Sequence, residues 1–468
     1  MDVLKSGEKT VNYELILDKD DPALTPSNRP PINEAIEMIL GEANGFQVPF
    51  AAVPLKQHKD VPEQNLYSCL FGRDSLLISD LLFSVKPHLR LNVIQALALD
   101  QGSKFDERSE EEPGRIAHEI RSIDDPVAEK LQSHGDWKFP YYGSVDATLI
   151  WMSQLYAAAL ENPSVLDISV GGLPLWERFI SATRWVLTRL ESPSGFIESS
   201  RSNPKGIANQ VWKDSGDSYM HKDGALARGD STASIETVGE TFDALTAAAG
   251  VQAIRPSRDW PLSSPELLKR ARQLQLSLIA NFWMGDSFAL GIERDASGAV
   301  VKFESQASNQ GRLLDSGVLS GEAFVGYRKA IAAAVTDSSL LGNSGLRTLS
   351  RAHVSYRPGG YHTGSSWPFD GALTARGLLK QGFKQESELI LGKVKGAIES
   401  SGGYPEFLRG DWPESDLINR FVQDVQFADE TGIREGTNRI AQPPQIIQGW
   451  TVAAYSWLSN GAQLRNNF

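Results

Sequence analysis

The feature that most constrains this 468-residue chain is the recurrence of apolar residues at helical spacing. Residues 74–85, 91–99, 146–160, 175–190, 235–249, 267–282, 318–335, 372–379, 387–398 and 446–458 all place apolar side chains three or four positions apart. That period builds one face of a helix and is wrong for a strand, whose faces alternate every residue. Several of these segments come in pairs separated by turn residues, the pattern of helical hairpins. The expectation is an all-α domain over 33–468, preceded by a polar arm over 1–32 that ends in Pro-Ser-Asn-Arg-Pro-Pro. Two β-like pieces, 288–294 and 300–303, flank Asp295-Ala-Ser-Gly and read as a small β-hairpin decorating a loop.

Three connections, 101–142, 192–234 and 353–367, are long and rich in Gly, Pro, His and aromatic residues. Loops of this length in a compact domain usually carry function. Composition narrows that function. With 46 Lys and Arg against 58 Asp and Glu, the net charge of -12 argues against a nucleic-acid partner, whose phosphates need clustered cations. The single cysteine, Cys69, excludes an intrachain disulfide or thiolate cluster and reads as a buried apolar residue. Seven histidines without a His-Glu-x-x-His spacing give no reason to expect a metal, and no cofactor is expected. No run of about 18 apolar residues occurs, and the start lacks a basic segment followed by an apolar core, so a cytoplasmic protein without a membrane partner is expected.

Two carboxylates stand out against this background. Asp214 lies in Gln210-Val-Trp-Lys-Asp-Ser-Gly-Asp-Ser and Glu406 in Tyr404-Pro-Glu-Phe-Leu, each beside aromatic and turn residues rather than in a solvated charge run. A pair of carboxyls, one protonated and one ionised, is what cleavage of a glycosidic bond requires. Phe71-Gly-Arg-Asp-Ser opens a helix; Asp74 or Ser75 could simply cap it, while Arg73 and Asp74 together offer donors and acceptors to vicinal hydroxyls.

Further motifs follow in order: Glu112-Pro-Gly-Arg-Ile-Ala-His-Glu, Tyr141-Tyr-Gly-Ser-Val-Asp-Ala-Thr, Ser308-Asn-Gln-Gly-Arg-Leu-Leu-Asp-Ser-Gly and Tyr361-His-Thr-Gly-Ser-Ser-Trp-Pro. With the segments around Arg73, Asp214 and Glu406, they resemble the glucosidase domain of glycogen debranching enzymes, the amylo-α-1,6-glucosidase type of the six-hairpin glycosidase superfamily. The resemblance spans roughly residues 66–450. It implies an (α/α)6 barrel and an inverting hydrolase, with Asp214 as general acid and Glu406 as general base. Such a pair should lie roughly 6.5 to 9.5 Å apart. Asp214 then needs a raised pKa, for which Trp212 offers an apolar wall and Asp217 a negative charge, while Lys213 would oppose it.

Glu236, in Ser234-Ile-Glu-Thr-Val-Gly, sits in a stretch that resembles glucoamylases. There the acid precedes the glutamate; here that place is Ile235, which leaves Glu236 as a hydroxyl-binding residue or an alternative acid. Tyr142, Asp146, His362, Trp367 and Trp450 are expected to line the funnel, aromatic faces meeting sugar C–H groups and polar groups fixing hydroxyls. Each tryptophan reads equally well as buried between helices. The family's Glu-Val-Gln-Gly-Tyr is here Glu236-Thr-Val-Gly-Glu240, and its Pro-Gln-Ala-Trp is here Ile447-Gln-Gly-Trp450. These departures, and the lack of an accessory sugar-binding or transferase domain, move the expected substrate from glycogen toward an oligosaccharide or small α-glucoside. A trehalase-like or α-L-rhamnosidase-like enzyme, a phosphorolytic enzyme and a non-catalytic carbohydrate-binding barrel remain the other readings.

Overall fold

The computed structural model describes residues 29–54, 66–122, 124–135, 137–228, 231–414, 417, 422–429, 432–441 and 444–464. The arm expected over 1–32 lies mostly outside them. The described chain is largely helical: α1 Ile32–Met38, α2 Gly72–Leu81, α3 His88–Leu99, α4 Pro126–Gly135, α5 Asp146–Glu161, α6 Leu175–Arg189, α7 Ile235–Ile254, α8 Ser264–Phe282, α9 Val325–Thr336, α10 Pro368–Lys380, α11 Lys384–Ser400 and α12 Gly449–Leu464.

Burial sorts these helices into two kinds. α5 and α7 carry buried residues all round their first turns and along most of their length. α8 instead buries one stripe, Leu267, Ala271, Leu274, Gln275, Leu278 and Phe282, and opens with a capping box between Ser263 and Glu266. A helix apolar on every side belongs inside, and one with a single stripe lies on the outside. Packing agrees. α2 touches α12 and α5, α5 touches α7, α7 touches the 3₁₀ helix Ser308–Leu314, that helix touches α10, and α10 touches α12. Six elements thus close a ring. Outside it, α3 packs on α2, α6 on α5, α8 on α7, α9 on the 3₁₀ helix, α11 on α10 and α1 on α12.

Because the chain alternates between inner and outer elements, the inner ones all run the same way. The loops that enter their N-termini therefore gather at one end of the ring. At the other end, Arg376 of α10 reaches Asp80 of α2 and Asp315 after the 3₁₀ helix, each at 2.6 Å, while Arg90 and Lys380 complete the cluster.

Two expectations are corrected. The helix expected over 318–335 is broken into 3₁₀ turns Gly317–Leu319 and Glu322–Phe324 before α9 begins at Val325. Gly321 adopts φ 94° between them, a left-handed turn that an α-helix cannot contain. The fourth inner element, Ser308–Leu314, is likewise a 3₁₀ helix rather than an α-helix. The segment expected to be helical over 446–458 starts with the strand Ile447–Gln448, which pairs with Ala52–Val53 before α12 begins.

The expected loop hairpin is present as Gly291–Arg294 against Val300–Phe303, joined by Ala233–Ser234. That third strand runs directly into α7 and sets Glu236 in its first turn. Four further hairpins were not expected: Leu40–Ala43 with Phe46–Pro49, Ser169–Val170 with Leu173–Pro174, Leu341–Gly342 with Gly345–Leu346, and Val422–Asp429 with Gly432–Ala441.

Candidate active site

Five of the six inner elements each bring a segment with candidate site residues to the shared mouth. The α2 N-terminus brings Arg73 and Asp74, the α5 N-terminus Asp146, the α6–α7 loop Asp214, the α9–α10 loop Tyr361 and His362, and the α11–α12 loop Glu406. Gly72 makes the first of these possible: a Cβ there would run into the Ala117 carbonyl, and its N–H donates to the His118 carbonyl at 2.8 Å.

Arg73 is the central cation. It is buried, its Nε donates to Asp146 at 2.6 Å, and its Nη2 has no hydrogen-bond partner among the described residues. Burial opposes its charge, but Asp146, Asp74 and Asp214 outweigh burial and hold the guanidinium protonated. Ser144 donates to the other Asp146 oxygen, so Asp146 acts as an orienting partner of Arg73.

Three further carboxyls belong to the site, Asp74 and Asp214 acting on Arg73 and Glu406 on the far side of them. Asp214 keeps partial exposure; desolvation by the surrounding protein pushes it up to about 6, with Arg73 opposing and Asp146 adding. The negative neighbour that acts on it is Asp146, not the expected Asp217, which accepts from the Ser215 hydroxyl at 2.8 Å. Asp74 is pushed up to about 7 by burial, with Arg73 opposing and Asp214 and Asp146 adding. Glu406, 4% exposed, is pushed up to about 7 by burial; Tyr361 and Gln445 oppose through hydrogen bonds, and Asp214 and Asp74 add by repulsion. The repulsion of Asp214 on Glu406 places two residues 192 positions apart, at 214 and 406, in one electrostatic site.

Other expected residues sort by what they touch. Lys213 is fully buried, and its Nζ donates to the Thr348 carbonyl at 2.5 Å. Burial pushes it down to about 8, while Asp370 and Glu236, not Asp214, face it with negative charge. Glu236 receives hydrogen bonds from Ser234, from Asn309 at 2.8 Å and from Tyr219 at 3.4 Å. Burial raises it and those donors oppose, so its oxygens are engaged within the protein. Tyr142 departs from expectation: its hydroxyl donates to the Asp100 carbonyl at 2.7 Å, and its ring joins the main core.

Trp212, Trp367, Phe369 and Trp450 form one aromatic box. Trp450 stacks on Phe369 at 4.0 Å and 11°, and Trp212 meets Trp367 edge-on at 5.8 Å. Trp367 donates to the Tyr361 carbonyl at 2.8 Å, whereas the Trp212 Nε1 is buried without a partner among the described residues. His362 stacks on Trp367 at 5.0 Å, and burial, with Lys213 and Arg73 nearby, keeps it neutral. Since the Ser215 hydroxyl donates to Asp217, His362 Nδ1 must be the donor in its 2.8 Å contact with Ser215. Nε2 is then a bare acceptor, buried and with no partner among the described residues.

Tyr361 and Asn309 were quoted within motifs but not singled out. Tyr361 donates to Glu406 Oε1 at 2.5 Å, with the backbone N–H of Gln445 on Oε2 at 3.1 Å. Among the described residues no group of three or more His, Cys, Asp or Glu is arranged for a metal ion, and no helix is long and apolar enough to cross a membrane.

No protein-family profile and no curated protein matches the chain. Solved structures do. A GH63 mannosylglycerate hydrolase from Thermus thermophilus, in complex with Tris and D-glycerate, is 12% identical with a TM-score of 0.55, covering 92% of this chain and 100% of that one. A wild-type glycosidase is 14% identical with a TM-score of 0.54, covering 92% of this chain and 96% of that one. An uncharacterized conserved protein from Thermus thermophilus matches at 12% identity and TM-score 0.55, covering 92% and 98%. At such identities the likeness is one of fold, and these three neighbours do not single out the debranching glucosidases.

Proposed function

We propose that the protein is an inverting, exo-acting glycoside hydrolase on an (α/α)6 barrel, with Asp214 as general acid and Glu406 as general base. Its substrate is a small α-glycoside, an α-glucoside first among them. The observation that carries the reading is the convergence of Asp214 and Glu406 at one end of the inner ring, both with raised proton affinity and each within electrostatic reach of Arg73 or Asp74. Asp214 gives its proton to the leaving oxygen, and Glu406 takes one from a water that attacks the anomeric carbon from the opposite face. The unpartnered Arg73 Nη2 and the Asp74 carboxyl suit vicinal hydroxyls, and the bare His362 Nε2 suits a hydroxyl donor.

The likeness to a mannosylglycerate hydrolase favours a second substrate reading, an α-mannoside of a small acidic alcohol, hydrolysed by the same two carboxyls. The test is a panel of α-linked glucose disaccharides, aryl α-glucosides and α-mannosides, and mannosylglycerate, with the first anomer released followed by proton NMR. Appearance of the β-anomer is expected; initial release of the α-anomer refutes inversion. Asp214→Asn and Glu406→Gln are each expected to lower kcat by about 10² or more, and near-normal turnover in either removes that residue from its role.

A further inference from the structure

Asp214 is tied down on both sides. Its predecessor Lys213 donates to the Thr348 carbonyl, and its successor Ser215 accepts from His362 Nδ1. Both partners lie in the same connection, between α9 and α10. Within it, the Thr348 N–H donates to the Ser365 carbonyl at 2.8 Å, and the Gly364 N–H donates to Thr348 Oγ1 at 2.9 Å. The Ser365 hydroxyl donates to the Tyr361 carbonyl at 2.5 Å, and Trp367 holds the same carbonyl. Tyr361 then reaches Glu406 Oε1. Beside this path Ser366 and Leu408 exchange backbone hydrogen bonds of 2.8 and 2.9 Å, pairing the segment to the Glu406 loop.

We propose that Lys213, Thr348 and Tyr361 form a hydrogen-bonded strut that fixes Asp214 relative to Glu406, so that Lys213 and Tyr361 are positioning residues for the acid and base. The proposal rests on the acid and base roles given above to Asp214 and Glu406. A lysine that served sugar hydroxyls would keep its ammonium at the site surface. Lys213 has no exposure, and its charge is balanced by Asp370 and Glu236. Such burial is costly and is tolerated only where the charge is paired and hydrogen-bonded. What the arrangement secures is spacing. Inversion needs room for one water between the base and the anomeric carbon, and a displacement of about 1 Å costs about 10²-fold in rate. Ser215 and His362 brace the same loop from the other side.

The test uses the full chain with Lys213→Met, Ser215→Ala and Tyr361→Phe, and the aryl α-glycoside that the wild type cleaves. Lys213→Met and Ser215→Ala are expected to lower kcat about tenfold or more with KM within about threefold, a split that general loosening of the fold would not give. Tyr361→Phe is expected to move the acidic limb of kcat/KM upward by about 0.5 pH unit or more, because Glu406 loses a donor that favours its charged form. Unchanged kcat in the first two, or an unmoved limb in the third, overturns the strut while Asp214→Asn and Glu406→Gln remain inactive. Should Lys213→Met fail to fold, the other two variants decide. If Asp214→Asn retains turnover, the acid–base reading has failed instead. Crystal structures of Ser215→Ala and Tyr361→Phe then judge the strut without turnover, an Asp214-to-Glu406 separation unchanged within about 0.5 Å refuting it.

Discussion

Glu406→Gln should make the protein more stable at alkaline pH while removing its turnover. The folded carboxyl titrates at about 7, against 4.5 for an ordinary glutamate. Between those values the folded state holds a proton that the unfolded chain has already released. Stability from this group therefore falls as pH rises through the window from 4.5 to about 7, and the full penalty is present at pH 8. A displacement of some 2.5 units at about 1.4 kcal/mol each amounts to about 3 kcal/mol. With 468 residues and an unfolding entropy near 2.1 cal/mol/K per residue, the melting entropy is about 1 kcal/mol/K, so about 3 °C is at stake. Glutamine resembles the protonated acid and has no proton to lose. The assay is thermal unfolding of both proteins at pH 4.5 and pH 8. The melting-temperature difference, variant minus wild type, should be about 3 °C more positive at pH 8 than at pH 4.5, whatever constant offset the amide brings. A change below about 1 °C, or of opposite sign, would refute a buried, proton-retaining Glu406.

Other perturbations probe different parts of the molecule. Arg376→Met, at the end of the ring away from the site, leaves Asp80 and Asp315 facing each other without their shared cation; it should cost about 3 to 5 kcal/mol, seen as a fall of about 3 to 5 °C in melting temperature with the pH profile of kcat unchanged. Gly72→Ala pushes a methyl against the Ala117 carbonyl and displaces the turn that carries Arg73 and Asp74; turnover should fall and stability drop by about 1 to 3 kcal/mol, checked by kinetics and denaturant melts. Glu236→Gln breaks acceptance from Ser234 and Asn309, so it should lose about 1 to 3 kcal/mol of stability yet keep kcat within about tenfold of wild type. A loss equal to that of Asp214→Asn would instead make Glu236 the acid.

Much of this was legible in the sequence, for reasons that differ between elements. α5 to α8 were readable because each runs for at least 15 residues, long enough for the apolar period to declare itself. The inner 3₁₀ helix Ser308–Leu314 has only seven residues, too few for any periodicity, and only the Ser308–Gly317 motif marked it. The Leu40–Pro49 hairpin was announced by Asn44-Gly45, both at positive φ, a turn signal passed over beside the α1 pattern. Asp214 and Glu406 were visible through their aromatic and turn neighbours. Lys213 was singled out as a site charge, but its bond to Thr348, like that of Tyr361 to Glu406, was not legible, because the partners lie 135 and 45 residues away. A fully buried lysine also runs against the ordinary behaviour of that residue, so composition points to the surface. Tyr142 failed in the opposite sense: its aromatic ring suggested a sugar platform, but a nearby carbonyl had already taken its hydroxyl.

The proton affinities show what the hydrogen bonds around Glu406 work against: burial has the largest effect on its carboxyl, which is raised to about 7 with those bonds in place. In the free protein Glu406 and Asp214 titrate within about one unit of each other, with Glu406 the higher, near 7 against about 6. Repulsion between them means that, near neutral pH, the pair tends to hold one proton, and catalysis requires it on Asp214. In the free protein the balance lies toward Glu406 even with its hydrogen bonds in place. The Tyr361 hydroxyl and the Gln445 N–H both favour charge on Glu406 and so reduce its hold on the shared proton. On the Asp214 side no side-chain donor among the described residues competes for it; Arg73 opposes protonation there, while Asp146, which holds Arg73 at 2.6 Å, favours it. A bound sugar that displaces water from Asp214 shifts the shared proton toward the acid, because desolvation disfavours its charged form. Loss of Tyr361 or of Asp146 should thus shift the pair in the same unproductive direction, from opposite ends of the site.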